Sequence, residues 1–246
     1  MLLIAAALEE ELKAGMESFE VRGKISAAGI PLWKAARGDK VVGFLKTGVG
    51  PVKSAAALTA ALEGAKPSHI LVIGYAGALD PGLKLGSLVA VRRALAFSLD
   101  ALRPDWEKVQ LDRTFDLADW EILAQTAGSL GLNVCAGDTM TSSHVLGKPD
   151  HKRILREKFH ASIVDMETAA LAEIAESRGI PLSCIRAVSD EAGDTFLEPF
   201  SYDPSARIGT RAKQLMGTGP VQTYRRWKAN ACAAKKSLSR FLASYP

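Results

Sequence analysis

Apolar residues along this chain fall into short continuous runs, separated by segments whose apolar positions recur every three or four residues. The runs fit buried strands, and the spaced segments fit helices with one face on a core. Residues 2–7 read as a first strand, and Glu9-Glu10-Glu11 with Leu12 and Met16 as a short helix after it. Carboxylates in a first helical turn meet the positive end of the helix dipole, which accounts for two of those glutamates without any further role. Residues 30–37 and 40–47 flank Gly38-Asp39, a two-residue turn suited to a hairpin. The loop Lys46-Thr47-Gly48-Val49-Gly50-Pro51 follows, with Pro51 placed to open a helix over residues 52–62. Residues 69–74 form another buried run, ending in Gly74-Tyr75-Ala76-Gly77-Ala78-Leu79, where small residues let a flat ligand lie against backbone. Residues 86–97 supply further β structure, and residues 98–115 read as a polar surface excursion. An amphipathic helix over 117–130, a strand over 133–140 and a short helix over 148–159 follow.

The next stretch has the clearest pattern. Residues 161–164 are a short apolar run, residues 168–178 have helical spacing closed by Gly179 and Pro181, and residues 182–188 are a second apolar run. The expected unit is βαβ, with Asp165-Met166-Glu167 after one strand and Ser189-Asp190 after the other. Ligands in open α/β sheets sit beyond the carboxyl ends of strands. Asp165 alone reads equally well as a helix cap. Glu167 and Asp190 together, with Arg186 just inside the second strand end, read as a functional set. Beyond Asp194 come an aromatic segment over 196–203, a helix over 206–216 and a glycine-rich break. A long helix over 221–245 aligns Val221, Tyr224, Trp227, Ala231, Ala234, Leu238, Phe241 and Tyr245 as one stripe, with Lys and Arg largely off it.

Composition narrows the class. The chain has 246 residues, 48% of them apolar and 24% charged, which suits one large α/β domain. That domain is expected to span 1–246, as a three-layer sandwich with a central mixed sheet flanked by helices and a divergent basic helix at about 221–245. Every apolar run falls short of the ~18 residues that cross a bilayer, and the first residues lack a basic leader, so a cytoplasmic location is expected. Cys135, Cys184 and Cys232 are odd in number and widely spaced, and the four histidines lack ligand spacing. Neither a disulfide framework, nor a metal, nor a cofactor is expected. The net charge of +4 is concentrated in the last fifth of the chain. An ordinary packed surface helix accounts for it; peripheral contact with an anionic membrane is the sharper alternative. No nucleic-acid partner is expected.

The acidic-Met-Glu turn at 165–167 and the Arg-x-x-Ser-Asp run at 186–190 resemble the nucleoside phosphorylase/nucleosidase superfamily. The opening Ala-Ala-Leu-Glu-Glu-Glu-Leu, the Lys-Thr-Gly-Val-Gly loop and the Gly-Tyr-Ala-Gly-Ala-Leu turn are similar to its methylthioadenosine/S-adenosylhomocysteine nucleosidase branch. A hopanoid-associated relative is a further resemblance. The likeness implies that Asp190 protonates N7 of a purine leaving group, with Ser189 beside it. It implies that Glu167 binds the ribose hydroxyls with Met166 packed on the sugar, and that Glu11 orients the attacking water, helped by Arg186. Tyr75, Ala76, Gly77, Met140 and Thr141 match the base and ribose pocket, and a homodimer is implied. The branch has serine where this chain has Tyr75, and an aromatic residue where it has Met140.

The residues suit that chemistry on their own terms. Cleaving an N-glycosidic bond needs help for the leaving base and a carboxylate near the sugar and water. An ordinary aspartate, with a pKa near ~3.9, is ionised at neutral pH. Asp190 therefore either gains a proton through burial or like-charge neighbours, or serves as a carboxylate holding an already protonated N7. The expected activity is hydrolysis of a 5′-substituted adenosine-type nucleoside. The alternatives are phosphorolysis in the same pocket and a catalytically silent nucleoside-binding module.

Overall fold

The computed structural model describes residues 1–27, 30–99, 105–195 and 218–245. In chain order these give β1 (Leu2–Ala6), α1 (Glu9–Met16), β2 (Glu20–Ala27), β3 (Ile30–Arg37), β4 (Lys40–Lys46), α2 (Pro51–Gly64), β5 (His69–Ala78) and β6 (Leu88–Ser98). They continue with β7 (Gln110–Asp116), α3 (Trp120–Ser129), β8 (Val134–Thr141), α4 (Pro149–Phe159), β9 (Ile163–Asp165), α5 (Thr168–Ser177), β10 (Leu182–Asp190) and α6 (Thr218–Ser244). The aromatic segment over 196–203 and the helix expected over 206–216 lie outside the described residues.

The strands make one mixed sheet in the order β10-β6-β8-β9-β5-β1-β4-β3-β2, with β7 on β6. Alternate residues along the central strands point to opposite faces. Leu3, Ala5, Ile70 and Val72 meet Leu58 and Ala61 of α2 and Leu171 and Ala172 of α5. Ile4, Ala6, Leu71 and Ile73 meet Leu12 of α1, Leu123 of α3 and Leu238 and Phe241 of α6. The result is the expected mixed α/β architecture, a central sheet flanked by helices.

Two expectations need correction, and one strand has no counterpart among them. Residues 98–115 are not only a surface excursion, because β7 pairs antiparallel with β6. Its side chains are exposed apart from Phe115, so no apolar alternation announced it. β2 on the opposite edge was likewise not foreseen, and pairs antiparallel with β3. The unit over β9, α5 and β10 is not a parallel βαβ. β9 runs antiparallel to β5, whereas β10 runs parallel to it.

β5 is shared between two arrangements. Its first half continues into the open sheet through β1. Its full length also belongs to a closed ring, β5–β10–β6–β8–β9 and back to β5. Both Val164 of β9 and Asp190 of β10 pair with Gly77 of β5. Ring closure therefore brings the ends of β9 and β10 to one point, although the two strands run in opposite directions.

The C-terminal stripe packs as expected where its side chains are described. Ala231, Ala234, Leu238, Phe241 and Tyr245 are buried. Arg37 of β3 donates to the carbonyls of Leu242, Ala243 and Tyr245, capping the otherwise unpaired end of α6. Lys235 pairs with Glu17 at 2.6 Å, and Arg240 donates to the carbonyl of Leu130. Among the described residues no helix is long and apolar enough to cross a membrane.

Candidate active site

Arg186 lies in the middle of β10 and is 1% exposed. Its Nε is 3.2 Å from Asp165 Oδ2, and one terminal nitrogen is 3.4 Å from Glu167 Oε2. It also donates to Thr168 Oγ1 at 2.8 Å and to the carbonyl of Tyr75 at 3.4 Å. The guanidinium lies over the backbone of Gly74. A Cβ added there would fall 2.3 Å from Arg186 Nη1 and 2.9 Å from Glu11 Oε1. Glycine is the residue that lets both charges approach β5.

Glu11 is the third residue of α1 and is 3% exposed. Its Oε2 accepts the Leu8 amide at 2.7 Å, the local bond expected at that helix position. Its Oε1 accepts the Tyr75 amide, also at 2.7 Å. The third glutamate of the triplet thus faces inward, while Glu9 pairs with Lys13 at 2.8 Å on the surface. Burial raises the Glu11 carboxyl above its ordinary range, and the Arg186 charge and the two amides oppose that rise.

Glu167 follows β9 and is 5% exposed. Its Oε1 accepts the Gly50 amide at 3.0 Å, so the glycine loop before α2 reaches the site through backbone. Burial pushes Glu167 up to about 7, with Arg186 opposing and Asp165 and Glu11 adding to the rise. For Arg186, burial works against the charge. The surrounding acidic groups, Asp165 first, with the Cys184 thiol, Glu167 and Glu11 after it, outweigh that, so its pKa is raised.

Asp165 does more than cap α5. It accepts the Thr168 amide at 3.1 Å as a cap would. It also accepts the hydroxyls of Thr139 at 3.2 Å and Thr141 at 2.9 Å, and that of Thr168. With Arg186 of β10 as a further partner, this one carboxylate ties together β8, β9, α5 and β10.

Asp190 ends β10, with its Oδ1 accepting the Ser189 hydroxyl at 2.9 Å. Its Oδ2 lies 2.6 Å from Nζ of Lys152, a residue of α4 that is 0% exposed. A Cβ on Gly77 would fall 2.7 Å from that same Oδ2. Ser189 also donates to the Ala76 carbonyl at 3.4 Å.

The structure thus brings Glu11, Glu167, Arg186, Ser189, Asp190, Ala76, Gly77 and Thr141 together, with half-buried Met166 between Asp165 and Glu167. Tyr75 belongs to the group through its amide and carbonyl. Its ring packs in the cluster of α1, α3 and α6, where burial first, and the charge of Glu11 next, raise the pKa of its hydroxyl. Met140 lies on the other face of β8. Strand alternation turns it away from Thr139 and Thr141, and it is fully buried among Leu79, Leu95, Phe97, Leu155 and Val164. Its difference from the aromatic residue of the resembling branch therefore falls in a core.

Sequence reasoning missed Thr168, the bond from the Gly50 amide to Glu167, and Lys152. Lys152 carried a readable signal. It lies three residues before buried Leu155, on the apolar side of α4. Among the described residues no group of His, Cys, Asp and Glu side chains could hold a metal ion.

With that geometry in place, the chain belongs to the phosphorylase superfamily, whose family model matches residues 2–217. Solved structures share the fold. Futalosine hydrolase of Helicobacter pylori strain 26695 superposes with a TM-score of 0.76 at 18% identity, covering 99% of this chain and 95% of that one. The 5′-methylthioadenosine/S-adenosylhomocysteine nucleosidase of Helicobacter pylori gives 0.74 at 18% identity, covering 98% and 96%. The nucleosidase of the same name from Neisseria meningitidis gives 0.72 at 21%, covering 99% of each.

Proposed function

We propose that this chain is a purine nucleosidase that hydrolyses the N-glycosidic bond of a 5′-substituted adenosine-type nucleoside, releasing base and sugar. One observation carries the reading: Glu11 and Asp190, carboxylates from separate elements, meet β5 at Gly74 and Gly77, and Arg186, which lies against Gly74 with Glu11, reaches a third carboxylate, Glu167. A binding module needs no such set of charges in a buried place. Glu167 holds the ribose hydroxyls, with Met166 against the sugar. Glu11 orients the attacking water, and Arg186 fixes that carboxylate and offsets its charge. Asp190, held in a salt bridge, accepts the N7–H hydrogen bond as N7 of the leaving base takes up a proton from solvent, with Ser189 beside it. Ala76, Gly77 and Thr141 form the wall.

Hydrolysis is favoured over phosphorolysis by the pairing of the cations. Arg186 already faces Asp165 and Glu167, and Lys46 lies 3.8 Å from Glu9. Two unit charges ~4 Å apart interact by about 4 kcal/mol at an effective dielectric of 20, so carboxylates this close oppose a phosphate dianion. An open cleft of about 390 Å³, lined by Ile30, Pro31, Ala56 and Ala57 together with Lys46, Lys53 and the Thr47-Gly48 backbone, adjoins the loop that holds Glu167 and supports a bulky 5′ group. The reading includes a single-domain enzyme acting in the cytoplasm as a homodimer. Lys235 and Arg240 of α6 are assigned to packing rather than to a membrane surface, because both are engaged within the fold.

The test is a panel of purine nucleosides, incubated with and without phosphate and resolved by chromatography. Free base and free sugar released without phosphate support the proposal. Sugar 1-phosphate formed only with phosphate present, or no release from any nucleoside, overturns it.

A further inference from the structure

α4 delivers an ammonium group to the interior of the fold. Apart from Arg186, Lys152 is the largest charged side chain that is fully buried among the described residues. Its Nζ donates to Asp190 Oδ2 at 2.6 Å and to the Glu191 carbonyl at 2.9 Å. Taking an ammonium out of water costs several kcal/mol. An apolar side chain, such as the neighbouring Leu155, would join α4 to β10 without that cost. The pair is also asymmetric, since the Lys152 side chain is 1% exposed and that of Asp190 is 11% exposed. A molecule arriving at this end of β10 meets the carboxylate, with the ammonium behind it. Two further carboxylates lie close in sequence to Asp190. Glu191 pairs with Lys84 at 3.2 Å, and Asp194 accepts the Glu191 amide at 2.8 Å.

We propose that Lys152 holds Asp190 as a hydrogen-bond acceptor, and so selects purines with an amino rather than an oxo group at C6. This rests on the nucleosidase reading above. The edge of a purine beside N7 carries the C6 substituent. A 6-amino purine protonated at N7 presents two hydrogens along that edge, and a carboxylate accepts both. A 6-oxo purine presents one hydrogen and a lone pair, and the lone pair opposes the carboxylate. A carboxyl without the ammonium beside it could carry its own hydrogen and serve either base. Lys152 is thus a positioning residue, acting through Asp190 and not on the substrate. Sites built around a required hydrogen bond reject an analogue lacking it by up to ~10⁴–10⁵-fold. A carboxylate that is still partly solvated should achieve less, about 10²-fold.

The experiment compares wild type, Lys152→Arg and Lys152→Met by calorimetric binding of free adenine and hypoxanthine, and by base release from adenosine and inosine. Wild type and Lys152→Arg are expected to favour the 6-amino partner by about 10²-fold in both measurements. Lys152→Met, checked for fold by circular dichroism, should lose at least ~10-fold of that ratio, mainly by gaining hypoxanthine. A merely structural role would weaken both bases alike, and an unchanged ratio in folded Lys152→Met overturns the proposal. So does a wild type that takes both bases equally, a result that stands even if the Met variant does not fold. Selective binding with no base release would instead sink the nucleosidase reading and leave the selectivity assignment intact.

Discussion

Arg186 Nε and Asp165 Oδ2 meet at 3.2 Å with side chains 1% and 0% exposed. The pair sits at the centre of the candidate site and has no solvent to fall back on. Removing one member of such a pair costs ~3–5 kcal/mol, because the other is left charged and buried. Arg186→Met is therefore expected to lower the unfolding free energy by about that amount in urea denaturation. A loss under ~1 kcal/mol, the range of an exposed pair, would contradict the arrangement.

Glu167 links the site to pH. Burial lifts it from an ordinary value of 4.5 to about 7. Between those two values the folded protein keeps a proton that the unfolded chain has released. Stability should therefore fall as pH rises from about 4.5 to about 7, then level off. The full effect is on the order of 3 kcal/mol, and Glu11 shifts in the same direction. Glu167→Gln has the shape of the protonated form. It should melt with wild type at pH 5 and above it at pH 8. Parallel melting curves across that range in the two proteins would remove Glu167 as the source.

Asp190→Asn should reduce turnover by ~10²-fold or more, the usual scale for a group that assists proton transfer. It should also destabilise the fold, since Lys152 loses its carboxylate partner in a buried place. Adding Lys152→Met to Asp190→Asn separates the effects, restoring much of the stability without restoring turnover. Turnover that returns along with stability would show that Asp190 matters to the fold alone.

Gly77 tests the other side of that carboxylate. A Cβ there would meet Asp190 Oδ2 at 2.7 Å and Val164 Cγ1 at 3.3 Å. Gly77→Ala should displace the Asp190 side chain and lower kcat by at least ~10-fold. An alanine variant with unchanged kcat would mean that Asp190 has room to spare.

Much of this was legible in the chain's periodicity. The β3–β4 hairpin, the proline opening α2 and the acidic ends of β9 and β10 follow from local patterns. What stayed hidden depended on partners distant in sequence. Asp165 reads as a cap because Thr139 and Thr141, which make it a junction, come from β8. β9 has three residues, too few for any pattern to give its direction. β2 and β7 lie at sheet edges where exposed faces erase alternation. Tyr75 reads as a side-chain contact, but its backbone amide and carbonyl make the bonds, and backbone groups leave no trace in residue type. Lys152 was visible at helical spacing from Leu155, yet a lysine in a polar helix ordinarily points to water.

The cover that α6 provides has a consequence for the order in which the protein is made. Synthesis runs from the N-terminus, and segments fold as they emerge. Every residue of the candidate site is complete once Asp190 has left the ribosome. The face of β5 and β10 that carries Ile73 and Ile185 still lacks Leu238, Phe241 and Leu242, which come from α6. Until that helix arrives, the nascent chain displays an apolar surface beside the finished candidate site. The Arg37 side chain, made early, waits for carbonyls made some two hundred residues later. A chaperone that shields this face during translation would be guarding the site before it can work.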